Sequence, residues 1–213
     1  MLGYPQGEFK ENMSNTGIGG AFEFSYSPKP FPLAIGVSLG YLQYGKETRH
    51  EPFSPTIPDV TVEVVTTNNI MLGHLFLRIQ NKRGYFQPYL DGLIGFNYLF
   101  TDTKIQNINH PEYSEIASST NIEDNVFSYG GGGGLMIRIH TGNAYKDSTR
   151  TDSEGQRKKY SLLLDFRVRY IKGGETEYLK KGSIRREDGK VYYDITESRT
   201  DLLTTHIGLV VEF

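Results

Sequence analysis

Apolar residues recur along this chain at every second position rather than every third or fourth, the period of a β-strand whose two faces meet different surroundings. In residues 16–26, Ile18, Gly20, Phe22, Phe24 and Tyr26 share one face, and Gly17, Gly19, Ala21, Glu23 and Ser25 share the other. The same alternation runs through residues 33–44 (Leu33, Ile35, Val37, Leu39, Tyr41), 69–79 (Met71, Leu75, Leu77, Ile79) and 87–101 (Leu90, Ile94, Phe96, Tyr98, Phe100). It continues through 127–140 (Phe127, Tyr129, Leu135, Ile137, Ile139), 160–171 (Leu162, Leu164, Phe166, Val168, Tyr170) and 203–213 (Leu203, Ile207, Leu209, Val211, Phe213). These are long strands, where about five or six residues is usual, and no stretch of similar length has helical spacing. The predicted class is all-β, as one domain over residues 1–213, because no linker or change of composition divides the chain.

The connections alternate in length. Residues 27–32 and 80–85 read as short turns, 45–68 and 102–124 as long loops, 141–159 as an intermediate polar connection, and 172–199 as a long, heavily charged, solvated loop in which Val191–Ile195 extends a strand. This pattern describes an antiparallel up-and-down β-barrel, but not which face is inside. Four features point to an apolar exterior and a polar interior. The strands have the ten or so residues that a tilted strand needs to cross a bilayer. Short turns at one end face long loops at the other. Small residues (Gly17, Gly19, Ala21, Gly36, Gly40, Gly95, Gly130, Gly132, Gly134, Gly208) crowd the polar face, as a narrow lumen requires. Tyr26, Tyr41, Tyr98, Phe100, Phe127, Tyr129, Tyr160, Tyr170 and Phe213 cluster toward strand ends, as interfacial aromatic girdles do. The expectation is therefore a transmembrane barrel, even though the mean hydropathy is −0.45.

Composition narrows the chemistry. The chain has 213 residues, no cysteine and a net charge of −2, which removes disulfides, thiolate metal sites and a cysteine nucleophile. It also leaves no electrostatic footprint for nucleic acid. Eight charges fall on the polar faces: Glu23, Asp91, Asp165 and Glu212 against Arg78, Arg138, Arg167 and Arg169. In a narrow lumen they must pair, so they are read as a structural ionic plug, with His74, His140 and His206 among them. No HxH or HxxxH pair suggests a metal, and no cofactor is expected. His74, Asp91 and Ser128 share the lumenal side but come from separate strands without a joining motif. His50 and His110 sit beside Glu51 and Glu112 in loops, where a turn is the simpler reading. The glycine run 130–134 continues into a strand, so it is read as room for lumenal side chains rather than a phosphate cradle.

The chain ends His206-Ile207-Gly208-Leu209-Val210-Val211-Glu212-Phe213, which resembles the C-terminal signature of bacterial outer-membrane barrels. Residues 86–98, 165–170 and 178–184 likewise resemble segments of small OmpA/OmpX-like barrels. The resemblance implies eight strands in the bacterial outer membrane, contact with outer-membrane lipid and lipopolysaccharide, and recognition of Phe213 by the barrel assembly machinery. It implies no chemistry. Three roles follow as expectations: a structural or partner-binding barrel, with a protein partner in an envelope complex; a narrow channel for ions or small solutes; and a barrel enzyme that processes lipid or peptide. The first is preferred, and the chain is not expected to be an enzyme. An even strand number places residues 1–4 as the outer end of a first strand pairing with both the 16–26 strand and the C-terminal strand, with residues 7–13 as an external loop. The chain as written then lacks most of that strand and the signal peptide, or the strand is unusually short.

Overall fold

The computed structural model describes residues 1–13, 15–28, 31–54, 57–107, 115–143, 159–187 and 190–213. Its elements are β1 (Leu2–Pro5), α1 (Gly7–Asn12), β2 (Gly17–Tyr26), β3 (Leu33–Ser54), β4 (Ile57–Gln80), β5 (Phe86–Asn107), β6 (Glu115–Asn143), β7 (Lys159–Gly173), β8 (Glu175–Glu187), β9 (Lys190–Arg199) and β10 (Leu202–Glu212). Eight of these strands form one antiparallel up-and-down sheet in the order β1-β10-β7-β6-β5-β4-β3-β2, which closes on itself; β8 and β9 form a separate hairpin. Closure runs through the four residues of β1. Leu2 stands opposite Thr205 on one side and Ile18 on the other, so the expected double pairing of residues 1–4 is present. That pairing lies at the end of the barrel where the long connections leave.

Each strand of the sequence reading is found, but the long connections differ from their prediction. Residues 45–68 are mostly strand, because β3 continues to Ser54 and β4 begins at Ile57, paired along almost their whole length. β5 and β6 likewise extend through residues 102–107 and 115–126. These segments alternate Thr, Val, Lys and Glu with no dominant apolar face, so periodicity could not mark them; cross-strand pairing holds them extended. Residues 175–187 and 190–199 are not a solvated loop. They form the β8–β9 hairpin, in which Thr176, Tyr178, Leu179, Ser183 and Ser198 are buried. Residues 7–13 hold a short helix, invisible to a pattern search because six residues offer a single large apolar side chain, Phe9.

Phe9 has 0% exposure and shows why the helix forms. Its ring stands edge-on between Tyr44 and Tyr178, with centroids 5.7 and 5.3 Å away. Around it Leu42, Ile70, Leu99, Ile171 and Leu202 form one apolar cluster inside the hairpin end of the barrel. Tyr44 shares the inward face of Leu42 and is the unpaired residue of a bulge between Gln43 and Gly45, which swaps the outward and inward faces of β3 beyond it.

The outer surface is apolar. Leu209 is 68% exposed and Phe96 57%, and Leu39 and Phe166 are exposed as well, so all four face outward as the alternation predicts. Exposed Tyr26, Phe31, Tyr85 and Phe86 gather near the short turns, while Tyr41, Phe127, Tyr129 and Tyr170 lie toward the hairpin end. No helix is long and apolar enough to cross a membrane.

Replacing the stopper, Phe9→Ala, leaves a hole that the surrounding strands cannot collapse into, with an expected loss of about 3–5 kcal/mol. Denaturant unfolding measures the loss, and faster amide exchange across α1, β8 and β9 than across β7 localises it.

Candidate functional site

The lumen holds the densest chemistry. Four strands, β2, β4, β5 and β7, each place charge inward at one level of the barrel. Asp91 on β5 accepts from Arg78 Nε at 2.7 Å and Arg78 NH2 at 2.9 Å, from the neighbouring β4. The same carboxylate accepts from Arg169 Nε on β7 at 3.1 Å and pairs with Arg169 NH2. Glu23 on β2 accepts from Arg169 NH1 at 2.6 Å and Arg78 NH2 at 3.3 Å, and pairs with Arg167 NH1. Ser38 Oγ donates to the same carboxylate at 3.0 Å. Asp165 lies 3.5 Å from Arg167 NH2 and accepts from the Tyr89 hydroxyl at 2.6 Å. Three carboxylates thus meet three guanidinium groups. Asp91 has no exposed side-chain surface and Arg169 only 3%, so each charge depends on the others to offset its desolvation.

Aromatic rings complete the cage. The Arg78 guanidinium lies 3.9 Å from the Tyr89 ring centroid and 4.9 Å from that of Phe76, within cation–π range. The glycine run makes room for these long side chains, as the sequence reading proposed. A Cβ on Gly134 would sit 2.5 Å from Tyr89 Cζ, and one on Gly132 only 2.8 Å from Arg169 Cγ. Every glycine of the run is paired within β6, and no helix follows it.

Six of the eight predicted lumenal charges are therefore gathered: Glu23, Arg78, Asp91, Asp165, Arg167 and Arg169. Arg138 and Glu212 lie apart, toward the short turns. The Arg138 backbone N–H donates to Tyr85 O, and its buried Nε has no partner among the described residues. Glu212 accepts from Gln80 Nε2 at 3.2 Å. His140 is a correction. A bulge between Arg138 and His140 turns it out of the lumen to stand opposite outward-facing Leu162, where it is exposed, 6.1 Å from the Tyr160 ring. His50 lies on β3, paired with Glu63; His110 and Glu112 fall outside the described residues.

The structure does bring His74 and Ser128 together. His74 Nε2 lies 2.9 Å from Ser128 Oγ, which in turn donates to Asn97 Oδ1 at 2.9 Å, all buried. A base-activated nucleophile also needs a group that orients the base. Asp91 does not orient His74; it is committed to Arg78 and Arg169. A small cleft of about 10 Å³, the room of a single water, borders His74, Ser38, Met1, Arg169 and His206. Among the described residues no three His, Cys, Asp or Glu side chains converge as a metal site.

Above the ionic layer the mouth is closed. The β8–β9 hairpin leaves between β7 and β10 and is tied across the opening. Asn68 Nδ2 on β4 donates to Leu179 O at 3.1 Å, Arg49 NH1 on β3 donates to Ile184 O at 2.9 Å, and the Gly182 N–H donates to Glu47 at 3.0 Å. On the β6 side Asp124 accepts from Thr176 Oγ1 at 2.7 Å and from the Glu177 N–H at 3.0 Å. Lys180 Nζ reaches Asn12 of α1 at 3.0 Å. This cap was not legible in the sequence, where its evenly mixed charges looked like those of a solvated segment.

Compared with known protein families, curated proteins and solved structures, the chain matches none.

Two outcomes follow. Asp91→Ala leaves Arg78 and Arg169 buried without their shared carboxylate and is expected to cost about 3–5 kcal/mol. Arg138→Ala, outside the cluster, should cost far less, and parallel urea titrations compare them. For Asp124, burial alone would raise its carboxyl, but the hydrogen bonds from the Glu177 N–H, the Thr176 hydroxyl and the Asn125 N–H outweigh it and hold the group below its ordinary range. A lowered folded-state value gives stability that is present above the unfolded value of about 3.9 and is lost as pH falls through the folded one. The cap tether should hold at neutral pH and loosen in acid below about pH 4. Accelerated exchange at the Glu177 amide, which Asp124→Ala would show at every pH, measures it.

Proposed function

We propose that this chain is a small, plugged transmembrane β-barrel of the bacterial outer membrane, with a structural or partner-binding role. One observation carries the reading: the barrel is inside out for water. Its exterior is a continuous belt of exposed Ile, Leu, Val and Phe, while its arginines and aspartates are buried within. Such a belt far exceeds the isolated apolar patches of a soluble monomer. On β3 it runs from Leu33 to Tyr41. At about 3.3 Å per residue and a tilt near 40° that is about 20 Å along the barrel axis, and the flanking aromatic rows bring it near the roughly 25 Å of an outer-membrane belt.

The filled lumen supports the structural role. A paired ionic layer lies under an apolar plug and a tied hairpin, and together they fill the lumen among the described residues. Partners follow from the same reading: outer-membrane lipid and lipopolysaccharide around the belt, and the barrel assembly machinery at the final strand, where Phe213 is 90% exposed. A protein partner in an envelope complex would meet the capped end.

Arg at Leu39, Phe96, Phe166 or Leu209 tests the belt. Near the bilayer midplane it should cost about 2–4 kcal/mol of folding stability in lipid vesicles. A cost near zero at all four positions would mean that the belt does not face lipid. Planar-bilayer recordings should show no steady conductance; open, ohmic steps would favour a channel over a plugged barrel.

A further inference from the structure

The β8–β9 hairpin carries an edge that the barrel does not use. Among the described residues β9 pairs in the sheet with β8 alone; near its end the Arg199 N–H donates to Glu8 of α1, and along residues 190–196 the backbone edge away from β8 has no ladder partner among those residues. Val191, Tyr192, Tyr193 and Ile195 are all exposed around that edge. The hairpin is tied to Glu47 and Arg49 of β3 through Gly182 and Ile184 of β8, which holds the strand in place. An exposed edge strand with apolar side chains is a ready template for pairing with another strand.

The residues along β9 favour a second β9. In a two-fold antiparallel pair, residues directly across from each other share a sheet face, so one residue must stand opposite its own counterpart. Centring the pair on Asp194 would set two carboxylates face to face. Centring it on Tyr193 would leave Lys190 opposite Thr196 and Tyr192 opposite Asp194. Centring it on Tyr192 sets Lys190 opposite Asp194 twice, Val191 opposite Tyr193 twice, and Tyr192 against Tyr192. Opposite charges, aromatic with β-branched, and aromatic with aromatic are the favourable cross-strand pairs. Asp194 already meets Arg185 of its own hairpin at 2.9 Å, so Lys190 of the second copy would complete a three-membered exposed charge row.

We propose that the free edge of β9 is a homodimer interface, in which two copies of this chain pair antiparallel along residues 190–194 with Tyr192 on the two-fold axis. This goes beyond the membrane reading and does not depend on it, because the edge is open whether the barrel wall meets lipid or water.

The absence of cysteine in the chain makes the test direct. In Tyr192→Cys, directly opposed Cα atoms lie about 4.5–5.5 Å apart, within disulfide reach. In Glu197→Cys, five residues off the axis, the two sulfurs are held roughly 33 Å apart at about 3.3 Å per residue. Mild oxidation of the detergent-solubilised full chain should give a covalent dimer for Tyr192→Cys and none for Glu197→Cys. Tyr192→Lys, an exposed change that leaves the hairpin core untouched, sets like charges across the axis and should weaken self-association at least tenfold by sedimentation. Equal cross-linking at both cysteines, or a native chain that sediments as a monomer, overturns the interface. Stronger cross-linking at Tyr193→Cys than at Tyr192→Cys overturns the register. Because these readouts do not involve lipid, they fail or succeed separately from the vesicle experiment on Leu209→Arg.

Discussion

Burying charge is the constraint on which the barrel depends. Asp91, Arg78, Arg169 and Glu23 come from β5, β4, β7 and β2, and none of them is tolerable in a dry interior unless the others are present. Their geometry reaches across the sheet as well as along it. The Arg169–Glu23 pair joins β7 to β2, which are separated in the sheet by β10 and the four-residue β1. That is the side where backbone hydrogen bonding is sparsest, since β1 meets β2 at only two positions. Side-chain ion pairs therefore help hold the wall closed where the ladder is shortest, and they demand that Gly132 and Gly134 have no side chains to obstruct them.

The interior is filled in two different ways along its axis, and each suits its surroundings. At the level of the belt, polar side chains occupy the lumen and pair among themselves, because the apolar residues are turned outward. Toward the hairpin end, the strands rise past the belt and their inward positions become apolar: Leu42, Ile70, Leu99, Ile171 and Leu202. There the barrel behaves like the core of an ordinary soluble protein, and it needs something to complete it. Phe9 of α1 and Tyr178 of β8 supply the missing volume, and hydrogen bonds donated by Asn68 and Arg49 and accepted by Asp124 hold the hairpin over it. The described hairpin and helix left out of the wall thus close that end of it.

This division of labour also separates surfaces by role. The wall presents exposed apolar side chains on its long strands. The cap presents a polar, tied hairpin with one apolar, unpaired edge that suits another strand.

The sequence by itself determined the strand period, the two faces of the barrel strands and the inward set of charges, because alternation is a local property that each strand carries whatever its neighbours are. Glu23, Asp91, Asp165, Arg167 and Arg169 were legible as lumenal for that reason, and the double pairing of residues 1–4 followed from counting strand directions. Tertiary structure decided the rest. A single bulged residue reverses the faces beyond it, so His140 turns out of the lumen, and nothing in the local alternation announces a bulge. Six residues with one phenylalanine show no helical period until Tyr44 and Tyr178 close around that ring. Evenly mixed charges between β7 and β10 look solvated until Asp124, Glu47 and Arg49, distant in sequence, give the hairpin its anchors. Which arginine meets which carboxylate is likewise set by barrel curvature and register, since Arg169 and Glu23 lie 146 positions apart and only closure of the sheet brings them together.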